Sequence, residues 1–139
     1  MTKVEYLSQI SKLKTKIEKM QERIEEYRIL AQSPATANYS DVRVKGTPSG
    51  EAPFVKWVYK IIELEQKVAE LQNELQTLQT QVITAIEQLD NEDYKMLLLL
   101  RYVQCFSWDD ICRKMSIADS TAWRWNKLGI EKLKVDEVQ

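Results

Sequence analysis

The chain has 139 residues, of which 29% are charged and 44% hydrophobic, a composition typical of folded rather than disordered proteins. Only three Gly and three Pro occur, which argues against a β-sandwich or barrel with many tight turns. Histidine is absent and there are two cysteines, too few ligands for a structural zinc site and without the commonest general base. We therefore expect no enzymatic activity, no metal and no cofactor.

Charge is unevenly distributed along the chain, although the formal net charge is only −1. Residues 1–53 carry nine Lys/Arg and seven Asp/Glu, and residues 94–139 carry eight and six. Residues 54–93 carry three and eight. An acidic middle thus separates two mildly basic ends, so the net charge is a poor guide to the partners of either end.

Several sequence features predict a cytoplasmic protein without a membrane segment. Cys105 and Cys112 lack redox-motif spacing, which fits a reducing compartment. Residues 1–13 contain lysines and no unbroken apolar run, so no signal peptide is expected. The longest apolar run, Met96 to Leu100, is too short to span a bilayer.

Residues 1–33 are predicted to form a coiled helix. Thr2 and Glu5 have the spacing of a capping box, and Ser33 precedes a proline, which disfavours helix at that position. An apolar stripe with steps of three and four runs between them. Its members are Tyr6, Ile10, Leu13, Ile17, Met20, Ile24, Tyr27 and Ala31.

Residues 34–53 are predicted to be a linker, because they contain all three prolines and two of the three glycines. Within this linker, residues 42–45 could form a short extended piece. The linker is longer than compact domains usually need, which suggests mobility or a docking role.

Residues 54–90 are predicted to form a long coiled-coil helix with an unbroken heptad pattern. Mostly β-branched a positions and mostly leucine d positions favour two parallel strands, and so a homodimer or higher oligomer through residues 54–89. The alternative is an antiparallel hairpin with the first helix of the same chain, which the linker length also permits. The a residues are Ile61, Val68, Leu75, Val82 and Leu89, and the d residues are Trp57, Leu64, Leu71, Leu78 and Ala85.

Residues 91–139 are predicted to form three shorter helices. The polar run at residues 90–93 starts the first, and Cys105 with Phe106 ends it. Ser107 caps the second, residues 116–118 form a turn, and the third runs from about Asp119 to Lys134. Two short helices joined by a tight turn are typical of a helix-turn-helix, so the predicted fold is all-α.

The second helix of such a pair presents outward side chains near its N-terminus to DNA bases. Arg124 can contact guanine with two hydrogen bonds, while Ser120 and Thr121 can bond bases or phosphates. Trp123 could pack on the surface or contact DNA or a polymerase. The candidate DNA-binding residues are Ser120, Thr121, Trp123, Arg124 and Lys127, with Arg113 and Lys114, and further off Lys132 and Lys134, as phosphate contacts.

Other chemically suggestive residues are interpreted as structural. Trp125 is expected in the core and Trp108 at a helix start. Cys105 and Cys112 are expected to be small apolar fillers. Asp109 and Asp110 lie in the first turn of a helix, where the helix dipole favours acids, rather than in a metal or catalytic pair.

The segment from Leu99 to Ala122 resembles region four of bacterial sigma factors. The resemblance rests on Cys-Phe-Ser-Trp-Asp-Asp-Ile-Cys at 105–112 and Met-Ser-Ile-Ala-Asp-Ser-Thr-Ala at 115–122. It is closest to the form in phage late transcriptional regulators of the ArpU and RinA type, whose coiled segment, linker and long helix are similar to this layout. The resemblance implies a phage or prophage protein that binds double-stranded DNA at a promoter in a bacterial host cell and activates late genes, with host RNA polymerase as a possible partner.

Three residues depart from the pattern of that group. Ser116 occupies a turn position that is usually Gly, so a positive φ there would be strained. Ala118 replaces a usual Ser N-cap, which leaves Asp119 or Ser120 to cap the last helix. Gly129 replaces a usual Ala and should weaken that helix by up to about 1 kcal/mol.

Two other functions fit the same sequence. A small-terminase-like DNA-packaging protein also joins a helix-turn-helix to oligomerising helices. An interaction protein would use its sigma-like end to bind polymerase instead of DNA, and it would show no salt-dependent DNA binding.

Overall fold

The computed structural model describes residues 1–32 and 54–135, which contain helices and no strands. This confirms the all-α prediction. The linker at 34–53, with its possible extended piece, lies outside the described residues. The α-helices are α1 (Lys3–Ala31), α2 (Val55–Glu87), α3 (Glu92–Leu98), α4 (Trp108–Met115) and α5 (Asp119–Lys132), and a π-helical turn, Leu99–Val103, extends α3.

The long helices begin and end close to the predicted residues. The capping box of α1 is formed in both directions: the Glu5 amide donates to Thr2 Oγ1 at 3.1 Å, and the Thr2 amide donates to Glu5 Oε2 at 3.1 Å. Helix α2 ends at Glu87, before the predicted end at Asp90.

The chain divides into two compact units, and α1 and α2 each contribute to both. One unit combines residues 1–14, which include the start of α1, with the residues from 74 onward, which include the end of α2 and the C-terminal helices. Residues 15–73 form the other unit. These boundaries fall inside helices rather than between them.

In the unit of residues 15–73, α1 packs against α2. The rings of Tyr27 and Trp57 stack with centroids 5.3 Å apart. Arg28 Nη2 lies 3.0 Å from Glu65 Oε2, an exposed ion pair that contributes little to stability. The buried side chains of this unit are Ile17, Ile24, Leu64 and Val68, all from the two predicted heptad stripes.

Helices α1 and α2 therefore form a hairpin within one chain, the alternative left open by the sequence. The a and d residues Leu64, Val68 and Val82 are buried in this single chain. The carboxylate of Glu65, which a parallel dimer would place near Lys60 of a second copy, pairs with Arg28. The homodimer through residues 54–89 stays a prediction.

In the other unit, the N-terminal half of α1 shares one core with α2–α5. The Tyr6 hydroxyl donates to Gln81 Oε1 at 3.2 Å, and Lys14 Nζ donates to the Val103 carbonyl at 2.8 Å. Burial of this apolar surface is the main stabilising contribution to the unit. Its fully buried side chains are Leu7, Ile10, Val82, Ile86, Leu97, Leu98, Ile111 and Leu133.

The break after α3 lies at the predicted residues. The π-helical turn ends with the Gln104 amide donating to the Leu99 carbonyl, and Cys105 follows in the left-handed region with φ 62°. The Phe106 amide then donates to the Leu100 carbonyl at 2.9 Å, which reverses the chain. A non-glycine residue in this region is strained, so Cys105 is held there by the surrounding packing.

Gly129 lies where α5 approaches α3 closely. A Cβ atom added to it would be 3.2 Å from Leu98 Cδ1 and 3.3 Å from Tyr94 Cβ. Glycine has a low helix propensity, but its lack of a side chain at this position lets the two helices pack together.

We expect Gly129→Val to lower the free energy of unfolding by about 1–3 kcal/mol, because both branches of the side chain would press on α3. Urea denaturation followed by circular dichroism measures this loss. Glu131→Val is the control, since it introduces the same side chain at an exposed position of α5. Equal stability of the two variants would contradict the close approach.

Candidate nucleic-acid interface

Helix α4 has the predicted cap, Ser107, and the cap of α3 is Asn91, which belongs to the polar run predicted to start that helix. Asn91 Oδ1 accepts hydrogen bonds from the amides of Asp93 at 2.8 Å and Tyr94 at 3.2 Å. Ser107 Oγ accepts from the amide of Asp110 at 3.2 Å. These bonds satisfy amides that have no partner inside the helices and so fix where each helix begins.

The turn between α4 and α5 consists of Ser116, Ile117 and Ala118, as predicted. Ser116 has φ 57° and ψ 49°, so the residue in the usual glycine position does adopt the left-handed conformation. Its amide donates to the Arg113 carbonyl, and the Ile117 amide donates to the Cys112 carbonyl. This bonding pattern is a Schellman motif, which ends α4 sharply and starts α5 three residues later.

The cap of α5 differs from the prediction that Asp119 or Ser120 would supply it. The N-cap residue is Ala118, with ψ 159°, and no side chain caps the helix. Asp119 is already inside the first turn, where Oδ1 accepts a hydrogen bond from Cys112 Sγ at 3.3 Å. The prediction was wrong because the Schellman turn fixes the register of α5 one residue earlier.

Ala118→Ser is expected to raise the free energy of unfolding by about 1 kcal/mol, because the new hydroxyl can accept from an unpaired amide of the first turn of α5. Thermal denaturation measures the gain. The control is Ala69→Ser, on the exposed side of α2, where serine is slightly less favourable than alanine. A gain no larger than that of the control would contradict the assigned cap.

Most candidate DNA-binding residues of α5 lie on one exposed face. Ser120, Trp123, Arg124 and Lys127 are all exposed, and spacing of about 100° per residue places them within one side of the helix. Thr121 is half-buried and lies at the margin of this face. The face is not purely basic, because the exposed residue Glu131 shares it.

Arg124 is the candidate best suited to contact a base. Among the described residues, the structure gives its guanidinium no hydrogen bond, ion pair or ring contact. Lys127 Nζ lies 5.4 Å from the centroid of the Trp123 ring, whose side chain is 66% exposed. The guanidinium can therefore reach a ligand without first breaking a bond within the protein.

The two cations of α4 have neighbours within the same unit. Arg113 forms an ion pair with Asp110. Hydrogen bonds from the side chains of Arg113 and Ser107 to the Asp110 carboxyl lower its pKa below the ordinary value. Lys114 Nζ lies 5.3 Å from the centroid of the Phe106 ring. Both side chains are exposed, as expected of phosphate contacts, which position a protein on DNA without reading sequence.

The remaining tryptophans of this region are half-buried and pack against the core, as predicted. The guanidinium carbon of Arg101 lies 4.7 Å from the centroid of the Trp108 ring. The rings of Trp125 and Tyr94 are 6.5 Å apart. Lys132 Nζ lies 5.6 Å from the centroid of the Tyr94 ring.

Sequence reasoning missed the contribution of α1 to this region. Lys3 Nζ donates to the carbonyls of Ile130 at 3.3 Å and Glu131 at 3.2 Å, near the end of α5. A cation there also interacts favourably with the helix dipole. Leu7 and Ile86 could have indicated this contact from the sequence. Both are apolar residues outside the heptad stripes, so they widen the apolar face of their helices and indicate a further packing partner.

Two further properties concern the described residues alone. They include no group of three or more His, Cys, Asp or Glu side chains placed to hold a metal ion. None of their helices combines the length and apolar character required to cross a membrane.

The structure thus defines an all-helical protein with a helix-turn-helix arrangement at α4 and α5. Residues 34–134 match the family described as "Protein of unknown function (DUF1492)", and the chain belongs to that family. The match includes α2–α5. No curated protein and no solved structure matches the chain.

Proposed function

We propose that this protein is a sequence-specific DNA-binding transcriptional regulator. The observation that carries the proposal is the face of α5 with exposed Ser120, Arg124 and Lys127, next to a short helix joined by a Schellman turn. A helix held in this way can enter the major groove, where Arg124 would read guanine. Arg113 and Lys114 would contact phosphates.

The resemblance to phage late regulators of the ArpU and RinA type supports a more specific role. We propose a phage or prophage protein that binds a promoter in the cytoplasm of the host cell and activates late genes. Host RNA polymerase would be its protein partner. Terminase genes directly downstream of its own gene would support this role, and their absence would count against it.

A two-fold dimer would bind two half-sites, which is how many helix-turn-helix proteins gain specificity. Because a and d residues of α2 pack on α1, such a dimer would use the opposite side of α2. Large apolar side chains are exposed there: Val58 (37%), Tyr59 (63%) and Ile62 (46%). Light scattering of the full chain tests this, since a dimer agrees with regulation and a ring of many subunits indicates DNA packaging.

The direct test is a gel-shift titration of the full chain against the DNA upstream of its own gene, with a scrambled duplex of equal length as competitor. We expect selective binding that weakens steeply with salt, because counterions are released from the phosphates. Equal binding to both duplexes would contradict sequence-specific recognition. Binding to polymerase without any salt-dependent DNA binding would contradict the DNA-binding function itself.

A further inference from the structure

A groove with a volume of about 540 Å³ opens between the start of α1, the π-helical turn, α4 and α5. All of its lining residues belong to the unit of residues 1–14 and 74–135. The volume lies within the range of about 300–1,000 Å³ that is usual for sites of small organic ligands. The groove is therefore large enough for a compact molecule with one ring or a branched alkyl group.

Its walls carry apolar and aromatic surface that the protein leaves uncovered. The indole rings of Trp108 and Trp123 line it on the sides of α4 and α5, and Val4 lines it on the side of α1. Trp123 is 66% exposed and Val4 is 49% exposed. Large aromatic side chains exposed in a concave surface are a common feature of ligand sites.

Two carboxylates in the groove lack a cationic partner among the described residues. Asp119 accepts only the thiol of Cys112, at 3.3 Å, and Asp109 has neither a hydrogen bond nor an ion pair there. The cation in the lining is Arg101, which is already engaged: Nη1 donates to the Phe106 carbonyl at 3.0 Å, and the guanidinium lies over Trp108. The lining therefore carries two carboxylates and one guanidinium, which leaves one negative charge in excess.

The Cys112 thiol belongs to the lining of the groove, and its Sγ donates a hydrogen bond to Asp119 Oδ1. Burial raises its pKa, and so do the hydrogen bond to Asp119 and the charges of Asp119 and Asp109. Both carboxylates thus act on one atom in the lining. A cation brought to that point would be stabilised by the same two charges.

We propose that this groove binds a small organic cation, an amine with an aromatic or branched alkyl body. Asp109 and Asp119 would hold the ammonium group, while the body would pack between Trp123 and Val4. The indole rings would contribute apolar contact, because Arg101 already lies over Trp108 and Lys127 over Trp123. This ligand would contact α1 together with both helices of the helix-turn-helix.

The test is a ¹H–¹⁵N NMR titration of the full chain with three probes of similar shape: phenethylamine, 2-phenylethanol and 3-phenylpropionate. The indole N–H signals are assigned with single Trp→Phe variants. We expect phenethylamine to shift the signals of Trp108 and Trp123 saturably and to leave that of Trp57 unchanged. It should bind about fivefold more tightly than the neutral alcohol, as expected of partly exposed charge pairs, and 3-phenylpropionate should bind most weakly.

The double substitution Asp109→Asn with Asp119→Asn should reduce the affinity for phenethylamine to that for the alcohol. Asp93→Asn is the matched control, because Asp93 is an exposed acid in the first turn of α3 and does not line the groove. Equal affinities for the three probes, absence of saturation, or an unchanged affinity in the double variant would each overturn the proposal. The comparison of probes needs no variant, so it decides the matter even if the double variant fails to fold.

Discussion

Leu7→Ala is expected to lower the free energy of unfolding by about 2–5 kcal/mol, the usual cost of deleting a fully buried leucine side chain. Leu7 is 0% exposed and belongs to the same core as Ile111 and Ala122 in α4 and α5. Urea denaturation followed by Trp fluorescence measures the loss. Because typical domains are stable by only about 5–15 kcal/mol, the proposed DNA binding should also weaken in this variant near physiological temperature.

Ile29→Ala is the control for this prediction, because it shortens an aliphatic side chain of the same helix at a position that is 61% exposed. Its effect should be within about 0.5 kcal/mol of zero. If Leu7→Ala were as mild as the control, the N-terminal half of α1 would not belong to the core of the C-terminal helices.

Arg124→Ala is expected to weaken binding to the specific duplex by about 1–3 kcal/mol, or roughly 5–150-fold, while binding to the scrambled duplex changes little. The reason is that an arginine that hydrogen-bonds a base distinguishes sequences, whereas a phosphate contact does not. Competition gel shifts at fixed salt measure the ratio. Arg124→Lys should recover only part of the selectivity, because lysine keeps the charge without the planar pair of donors.

Two controls separate base reading from general electrostatics. Arg23→Ala removes the same charge from an exposed position of α1 in the unit of residues 15–73, and it should leave the ratio unchanged. Lys127→Ala should weaken both duplexes alike if it contacts phosphate. An unaltered specific-to-scrambled ratio in Arg124→Ala would reject α5 as the reading helix.

Local features of the fold were predictable because they depend on neighbours in sequence. The capping box of Thr2 and Glu5, the caps Asn91 and Ser107, and the strained position of Ser116 follow from residue type and spacing alone. The heptad stripes identified both long helices. The exposed position of Arg124 followed from its place on the α5 wheel.

The pairing of these elements was not predictable in the same way. A stripe of a and d residues fits a partner from the same chain or from another copy, and the periodicity does not distinguish them. Lys3 and Lys14 donate hydrogen bonds to backbone carbonyls that are distant in sequence. Every residue has a backbone carbonyl, so residue types do not indicate which carbonyl a lysine will contact. The groove between α1, α4 and α5 depends on such long-range contacts, so no local sequence motif predicts it.

The hydrogen bonds from Lys3 to the carbonyls of Ile130 and Glu131 also bear on how this protein is made. The first of these bonds joins residues that are 127 positions apart in the sequence. Closing so long a loop costs conformational entropy before its contacts repay it. The end of α5 therefore gains this support from α1 only after the intervening residues have been synthesised, and the DNA-binding surface proposed for α5 would not be complete before then.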